Sequence, residues 1–336
     1  MLQSGMITME HGSGGQATGA LLGEVFASAF DSEVLNRMED SAVVPGSGRI
    51  AVTTDSFVVT PLVFRGGDIG RLCVCGTVND LLMRGAVPRY ITCGFILEEG
   101  LEISLLGQVV KSLAQTAREA GVEVIAGDTK VVEGNGGLYI NTTGVGFVPE
   151  GVDIAAANAK AGDAILVSGT MGDHHAAILA ERLQIQTEIE SDCAPLGEMV
   201  RGLVEGGIRV RTLRDITRGG LGTVLKELAE ASGKCFVLEE SAIPVSAAVR
   251  DFCGLLGLDP LYMGNEGKLA AVVPAEQAGE ALEILRRSPY GSGAAVIGRV
   301  EEASENAKAG ELLMKTPLGG VRKLTILQGE GLPRIC

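Results

Sequence analysis

In Asp68-Ile69-Gly70-Arg71-Leu72-Cys73-Val74-Cys75-Gly76-Thr77-Val78-Asn79-Asp80-Leu81-Leu82-Met83-Arg84-Gly85, the run from Ile69 is mostly Leu, Val, Cys, Gly and Met. The pattern predicts a helix from Ile69 to Arg84, with Asp68 as its N-cap, Gly85 past its end and Pro88 beyond. Thr77, Asn79 and Asp80 break the composition. Their short polar side chains compete with the backbone for hydrogen bonds and are poor helix-interior residues, so packing does not account for them.

Acidic residues recur at the ends of neighbouring elements. Glu39-Asp40 precedes Ser41-Ala42-Val43-Val44, the strand Ile50 to Thr53 runs into Thr54-Asp55-Ser56, and the strand Val122 to Ala126 runs into Gly127-Asp128-Thr129-Lys130. A single aspartate in such a place is ordinarily a turn or cap residue. Several of them, together with Asn79-Asp80 in a helix, match what Mg²⁺ with a triphosphate requires: one or two carboxylates, with waters and phosphate oxygens completing the shell. Asp40, Asp55, Asp80 and Asp128 are the expected metal residues, and Lys130 is expected to balance phosphate charge. None has the spacing of an EF-hand loop.

Around these motifs the first half reads as strands near 50–54, 57–60, 90–97, 122–126 and 138–148, with helices near 15–30, 69–84 and 103–120. Leu105, Leu106, Val109, Val110, Leu113 and Ala117 give the last helix an apolar face, and Pro149-Glu150-Gly151 closes the half. The opening run His11-Gly12-Ser13-Gly14-Gly15-Gln16 can present bare amides to an anion, or serve only as a flexible arm. It lacks Gly-Lys-Ser/Thr and follows no strand, so it is neither a Walker A loop nor a Rossmann turn.

The second half restarts with a strand over 164–167 and a helix after Asp173, whose adjacent His174 and His175 point to different sides, one near the helix N-terminus and one at the surface. Asp215-Ile216-Thr217-Arg218-Gly219-Gly220-Leu221-Gly222 leads into a helix over 222–232, where glycines and Arg218 offer a helix N-terminus to phosphate or carboxylate. In Gly264-Asn265-Glu266-Gly267-Lys268, ahead of the strand Leu269 to Val273, Glu266 is a candidate base or a solvated loop carboxylate. A helix near 275–287 and strands over 295–300 and 311–315 follow.

Composition narrows the class. The 336 residues are 46% hydrophobic, enough for two cores, and carry a net charge of −14 with no basic block. Nucleic-acid and anionic-membrane binding are not expected. Without a long apolar run or a leader pattern in Met1 to Glu24, the expected location is the cytoplasm. Seven cysteines without a Cys-x-x-Cys pair, and three histidines, support neither a disulfide framework nor a zinc site. Cys73, Cys75, Cys93, Cys235 and Cys253 read as buried thiols, and Cys193 as a loop thiol.

The last residues, Leu332-Pro333-Arg334-Ile335-Cys336, follow Gly329 and Gly331 and read as an extended arm. At about 3.3 to 3.6 Å per residue, Gly329 to Cys336 would sweep roughly 25 Å, carrying a thiol between a partner and an internal pocket.

Taken in order, His11-Gly12-Ser13-Gly14-Gly15, Thr53-Thr54-Asp55-Ser56-Phe57, Gly76-Thr77-Val78-Asn79-Asp80, Gly127-Asp128-Thr129-Lys130, Asp215-Ile216-Thr217-Arg218-Gly219-Gly220, Asn265-Glu266-Gly267-Lys268 and the terminal Pro333-Arg334-Ile335-Cys336 resemble the HypE family, the carbamoyl dehydratases of nickel–iron hydrogenase maturation. The aspartate motifs alone also resemble the wider group of aminoimidazole ribonucleotide synthetase, selenophosphate synthetase and thiamine monophosphate kinase. The terminal Pro-Arg-Ile-Cys narrows the match.

The resemblance implies an α/β (α+β) chain of two domains with the aminoimidazole ribonucleotide synthetase-like fold: an ATP-binding and dimerisation domain over 1–150, an α/β domain over 151–328 and a tail over 329–336. It implies a homodimer through the N-terminal sheet, and ATP with Mg²⁺ between the domains. Gly12, Ser13, Gly14, Gly15, Thr54, Asn79, Asp80, Asp128, Thr129, Asp215, Thr217, Arg218, Gly219 and Gly220 would contact the nucleotide. Cys336 would be carbamoylated by the carbamoyltransferase HypF, dehydrated with ATP to a thiocyanate, and relieved of its cyano group by the HypC-HypD complex. Lys130 would stabilise the transferred phosphoryl group and Glu266, or else His11, would take the amide protons. The alternatives are another synthetase or kinase of the wider group, and a non-enzymatic thiol carrier.

Overall fold

The computed structural model describes residues 5–8, 21–30, 46, 48–305 and 307–327. The first sheet is formed by β1 (Arg49–Phe57), β2 (Val87–Glu98), β3 (Glu123–Val132) and β4 (Leu138–Val148), in the order β1-β4-β2-β3. All neighbours are antiparallel except β2 and β3, which run parallel. Helices α1 (Ile69–Met83) and α2 (Ile103–Ala120) lie between strands in sequence, α2 forming the crossover that a parallel pair needs. The Asp68 carboxylate caps α1 by accepting the Arg71 N–H at 2.9 Å. Helix α2 buries Leu106, Val109, Val110, Leu113 and Ala117 and ends at Gly121 in the left-handed region (φ 71°). Each large side chain so buried contributes roughly 1.5–3 kcal/mol relative to exposure. At Gly70 the helices approach so closely that an added Cβ would stand 2.2 Å from the Val109 carbonyl oxygen.

The second sheet has seven strands: β5 (Asp163–Val167), β6 (Thr212–Asp215), β7 (Cys235–Glu239), β8 (Leu269–Pro274), β9 (Ala295–Glu301), β10 (Leu312–Lys315) and β11 (Val321–Leu324), in the order β11-β10-β7-β9-β5-β8-β6. Its helices are α3 (Asp173–Leu183), α4 (Gly197–Glu205), α5 (Gly220–Ser232), α6 (Ala247–Leu256) and α7 (Ala278–Arg287). β5 and β8 are buried at every position. This is why they read in the sequence as continuous apolar runs rather than alternating ones.

Several expected boundaries move. Residues 50–54 and 57–60 are not two strands, because β1 runs unbroken to Phe57, and β3 continues through Asp128 to Val132 instead of stopping at Ala126. Pairing of β3 with β2 extends as far as Val132 opposite Glu98, and it overrides the turn preference of Gly127-Asp128. Of the predicted helix 15–30, the described part is a π-helical turn, Leu22–Ala27, continuing as Ser28–Phe30. The short elements β6, β7, β11, α4 and α6 carry patterns too brief to be read in advance. His174 and His175 are both buried, which corrects the expectation of a surface histidine. His174 meets Ser191 Oγ at 2.7 Å, while burial pulls the His175 pKa down to about 4.

Helix α1 is buried nearly all round because the two halves share it. One side faces β1 and β4, and another grips the segment that leads into α4. Arg71 Nε donates to the Cys193 carbonyl at 2.8 Å, and its other nitrogens reach Glu119 and Tyr290. Asn79 Nδ2 donates to the Ala194 carbonyl at 3.1 Å, and its Oδ1 accepts the Leu196 N–H at 2.9 Å. Replacing Arg71 by Met would strip the Cys193 carbonyl of its donor and leave Glu119 without its cation. A loss of about 1–3 kcal/mol is expected, to be measured by urea unfolding, with α1 and the Cys193 segment separating first in hydrogen exchange.

Candidate active site

Sheet register decides which predicted residues meet. Asp55 stands opposite Thr142, which is opposite Cys93, which is opposite Gly127. That row faces the helices, where Thr142 and Cys93 are fully buried. From α1, Asp80 arrives beside Asp55 and accepts a hydrogen bond from Thr53 Oγ1 at 2.8 Å. Thr77 Oγ1 lies 3.4 Å from Asp55 Oδ2 and is also hydrogen-bonded to Thr142 Oγ1. Burial, and then the Asp80 charge, push the Asp55 pKa up, with Thr77 and Arg218 opposing. Two crowded carboxylates and two hydroxyls form an oxygen-only set, the donor chemistry that Mg²⁺ takes.

The second half supplies the facing wall. β6 ends at Asp215, and the following Thr217, Arg218 and Gly219 turn the chain into α5, whose first amides carry no side-chain cap. Gly219 (φ 83°) and Gly220 (φ 64°) are both left-handed, and a Cβ on Gly220 would stand 2.5 Å from the Leu261 carbonyl oxygen. The close approach therefore demands glycine. Asp215 is 9% exposed, and burial followed by the Asp80 charge pushes its pKa up to about 7. A cleft of about 280 Å³ runs between the halves, lined by Thr53, Asp80, Arg84, Arg214 and Asp215.

Glu266 is 3% exposed, so the solvated-carboxylate alternative is excluded. Its Oε1 has no hydrogen-bond partner among the described residues. Burial, then the charges of Asp215 and Asp192, hold its pKa well above the usual carboxylate range, with Arg218 opposing. The Arg218 charge thus opposes the rise at both Asp55 and Glu266. Cys193 stands in the loop that enters α4, as expected, where it is buried and hydrogen-bonded to Cys75, and the bond together with burial raises its pKa.

Other expected site residues are placed elsewhere. Asp128 follows Gly127 by one residue, in the row of Gly94, Asn141 and Ser56, and so points to the opposite face of the sheet from Asp55. There it pairs with Lys130 at 2.8 Å and both are exposed. Thr54 also stands on that open face, bonded to Thr143 and to the Thr142 carbonyl. The single expected array of aspartates is divided by the period of two, because a position near a strand end does not fix which face a side chain takes. No group of three or more His, Cys, Asp or Glu among the described residues is arranged for a metal. Thr129 is on the helix side, over a small cleft with Phe26, Phe30 and Phe95. Asn79 gives its amide to main chain and so ties α1 to the segment before α4. Thr53 and Thr77, which stand inside the motifs, are not among the expected contacts yet bond the two carboxylates, and Asp192, beside Glu266, belongs to no motif. His11, Gly12, Ser13, Gly14, Gly15, Asp40 and Cys336 lie outside the described residues.

Comparison with known proteins gives first the class. Residues 38–148 match the N-terminal domain of AIR synthase related proteins and residues 160–309 match their C-terminal domain. A thiamine-monophosphate kinase from Stenotrophomonas maltophilia K279a shares this fold, with a TM-score of 0.69 at 22% identity. Carbamoyl dehydratase HypE of Azotobacter vinelandii is 49% identical, covering 100% of this chain and 98% of its own. HypE of Escherichia coli K12 is 45% identical, covering 98% and 99%. The crystal structure of hydrogenase maturation protein HypE in complex with ATP superposes with a TM-score of 0.94 at 46% identity, over 98% of this chain and 99% of that one. The chain belongs to the carbamoyl dehydratase HypE family. A HypE-HypF complex structure also matches, with a TM-score of 0.79 at 44% identity over 92% of this chain and 100% of that one.

The raised Asp215 pKa has a consequence for stability. Between the ordinary carboxyl pKa near 4 of the unfolded chain and about 7 in the fold, the folded state holds a proton that the unfolded state releases. Stability therefore falls as pH rises through that window, by up to about 1.4 kcal/mol per pH unit. Asp215→Asn is expected to flatten this slope and to raise the Tm at pH 8 in metal-free buffer. Thermal melting from pH 4 to 8 checks it, and an unchanged slope would refute the assignment.

Proposed function

We propose that this chain uses ATP to dehydrate a carboxamide carried on Cys336 to a thiocyanate, supplying cyanide ligands for the iron centre of nickel–iron hydrogenase. The observation that carries the reading is Glu266: a dry carboxyl with an unpartnered oxygen, close enough to Asp215 to feel its charge, while Asp215 in turn feels Asp80 and Asp55. The carbamoyl dehydratase relatives and the HypE structure with ATP support the same substrate classes. The HypE-HypF complex supports HypF as carbamoyl donor. HypC-HypD is the proposed acceptor, and the proposed compartment is the cytoplasm; no helix among the described residues is long and apolar enough to cross a membrane.

Dehydrating an amide requires its oxygen to become a leaving group. The carboxamide oxygen attacks the γ-phosphate of ATP and displaces ADP, the C–O bond then breaks so that phosphate departs with that oxygen, and both amide hydrogens leave as protons as the C≡N bond forms. Asp55 and Asp80 would hold Mg²⁺, which when bound neutralises phosphate charge. Arg218 and the first amides of α5 would orient phosphate oxygens. Glu266 takes a proton from nitrogen, a role suited to a carboxyl whose raised pKa makes it a stronger base. Enclosure between the halves keeps water from the phosphorylated intermediate. A homodimer is proposed through the open face of the first sheet, where Ile50, Val52, Val87, Ile96 and Val132 are exposed. Asp128 and Lys130 would then lie at that interface, and their part in phosphate handling would depend on dimer formation.

Incubation with HypF, carbamoyl phosphate and ATP should add a carbamoyl group to the Cys336 peptide and then remove one water, as read by intact mass. Glu266→Gln should keep carbamoylation and slow water loss about 10²- to 10⁴-fold, whereas Asp80→Ala should lose ATP binding. ATP turnover with an unmodified tail would instead mark a kinase or synthetase with a diffusible acceptor, and a modified tail without ATP use a passive carrier. Val52→Asp is expected to give monomers in analytical ultracentrifugation.

A further inference from the structure

Glu266 sits in a five-residue loop whose main chain is fixed at nearly every step. Gly264 O accepts from His175 N at 3.1 Å, and Asn265 N donates to Ile216 O at 2.9 Å. Asn265 Oδ1 accepts from Gly172 N at 2.9 Å. At the centre of the loop the partner is a side chain. Asp192 Oδ1 accepts the Glu266 N–H at 3.1 Å and Oδ2 accepts the Gly267 N–H at 3.3 Å. The Glu266 carbonyl accepts in turn from Ala194 N at 3.3 Å, two residues beyond Asp192. A Cβ on Gly267 would stand 1.8 Å from the Asp192 carbonyl oxygen, so the two segments touch with no room for a side chain.

The Asp192 carboxylate is itself enclosed, at 4% exposure, with Lys268 Nζ 3.4 Å from Oδ2. One buried ion therefore spends both oxygens on consecutive amides of the loop that bears the base, and its charge faces Glu266. A carboxylate that only needed neutralising would have Lys268 alone. Paired charge-assisted bonds to adjacent amides fix a peptide plane, and with it the direction of the side chain that leaves it.

We propose that Asp192 is a positioning residue for Glu266: it holds the base at the angle needed for proton removal without itself touching the substrate. This deepens the proposed function and rests on Glu266 being the base. Asn79 extends the same clamp to the nucleotide wall. It binds Ala194 O and Leu196 N from the helix position next to Asp80, and its Nδ2 lies 3.5 Å from the Glu266 carbonyl oxygen.

The test uses the full chain with HypF, carbamoyl phosphate and ATP, and follows water loss from the carbamoylated Cys336 peptide as a function of ATP concentration. Asp192→Asn keeps shape but loses charge; Asp192→Glu keeps charge but displaces the acceptor by one methylene. Expected in each folded variant is a rate of water loss lower by about 10- to 100-fold, with carbamoylation and the half-saturating ATP concentration within about 2-fold of the parent. Thermal melting identifies which variants are folded, and one folded variant suffices. A parental rate overturns the proposal, as does a joint loss of ATP affinity and rate, which would mark Asp192 as general scaffolding. Parental activity in Glu266→Gln would overturn the base assignment itself, and the clamp with it. A dead Glu266→Gln beside an unaffected Asp192→Asn removes only the clamp.

Discussion

Asn79 donates to Ala194 and accepts from Leu196 across a sequence separation of more than a hundred residues, and the geometry of the cleft depends on this exchange. A buried main-chain carbonyl or amide left without a partner costs on the order of 1–3 kcal/mol. The segment before α4 therefore cannot leave α1 without leaving such groups exposed. Arg71, Cys75 and Asn79 recur every four residues, so they share one stripe of α1, and that stripe is aimed at 193–196. Asp80 is rotated by one residue, about 100°, toward Thr53 on β1. Adjacent side chains on one helix thus serve two purposes, one joining the halves and the other equipping the cleft between them.

The cleft gathers carboxyl groups that repel one another. Asp55, Asp80, Asp215 and Glu266 come from four separate elements, with Arg218 as the cation that acts on both ends of the set. Burial and like charge raise the pKa of three of them, which is a cost to the empty fold and an advantage to a site that receives a cation, phosphate and protons. A region that is locally unfavourable inside an otherwise well-packed chain is characteristic of function rather than of stability. Packing on every side of α1 is what holds the set together against its own repulsion.

Much of this was legible in the residues themselves. The cap at Asp68, the apolar face of α2, the buried runs of β5 and β8 and the glycine entry to α5 follow from patterns within a few positions of one another. The Asp80 motif could be picked out because its residue types were wrong for a helix interior, and the Glu266 motif because a carboxylate stands between glycines at a strand start. What failed were the claims that depended on neighbours in space. Gly127-Asp128 looked like a strand end because turn residues stand there, yet nine paired residues of β3 carry the strand through it. Thr53 rather than its neighbour Thr54 reaches Asp80, and Asp192 had no local pattern to mark it.

The amino-acid sequence by itself determined the longer elements, the two-part α/β class and the residue types of the candidate site, because propensity, capping and hydrophobic period act over a few residues at a time. Tertiary structure alone decided which of those residues meet. Register sent Asp55 and Asp128 to opposite faces of one sheet, and burial turned Glu266 from a loop carboxylate into a raised, unpartnered acid. Both are properties of the assembled surroundings. Face and dielectric depend on strands and loops that arrive from distant parts of the chain, and no local pattern encodes them.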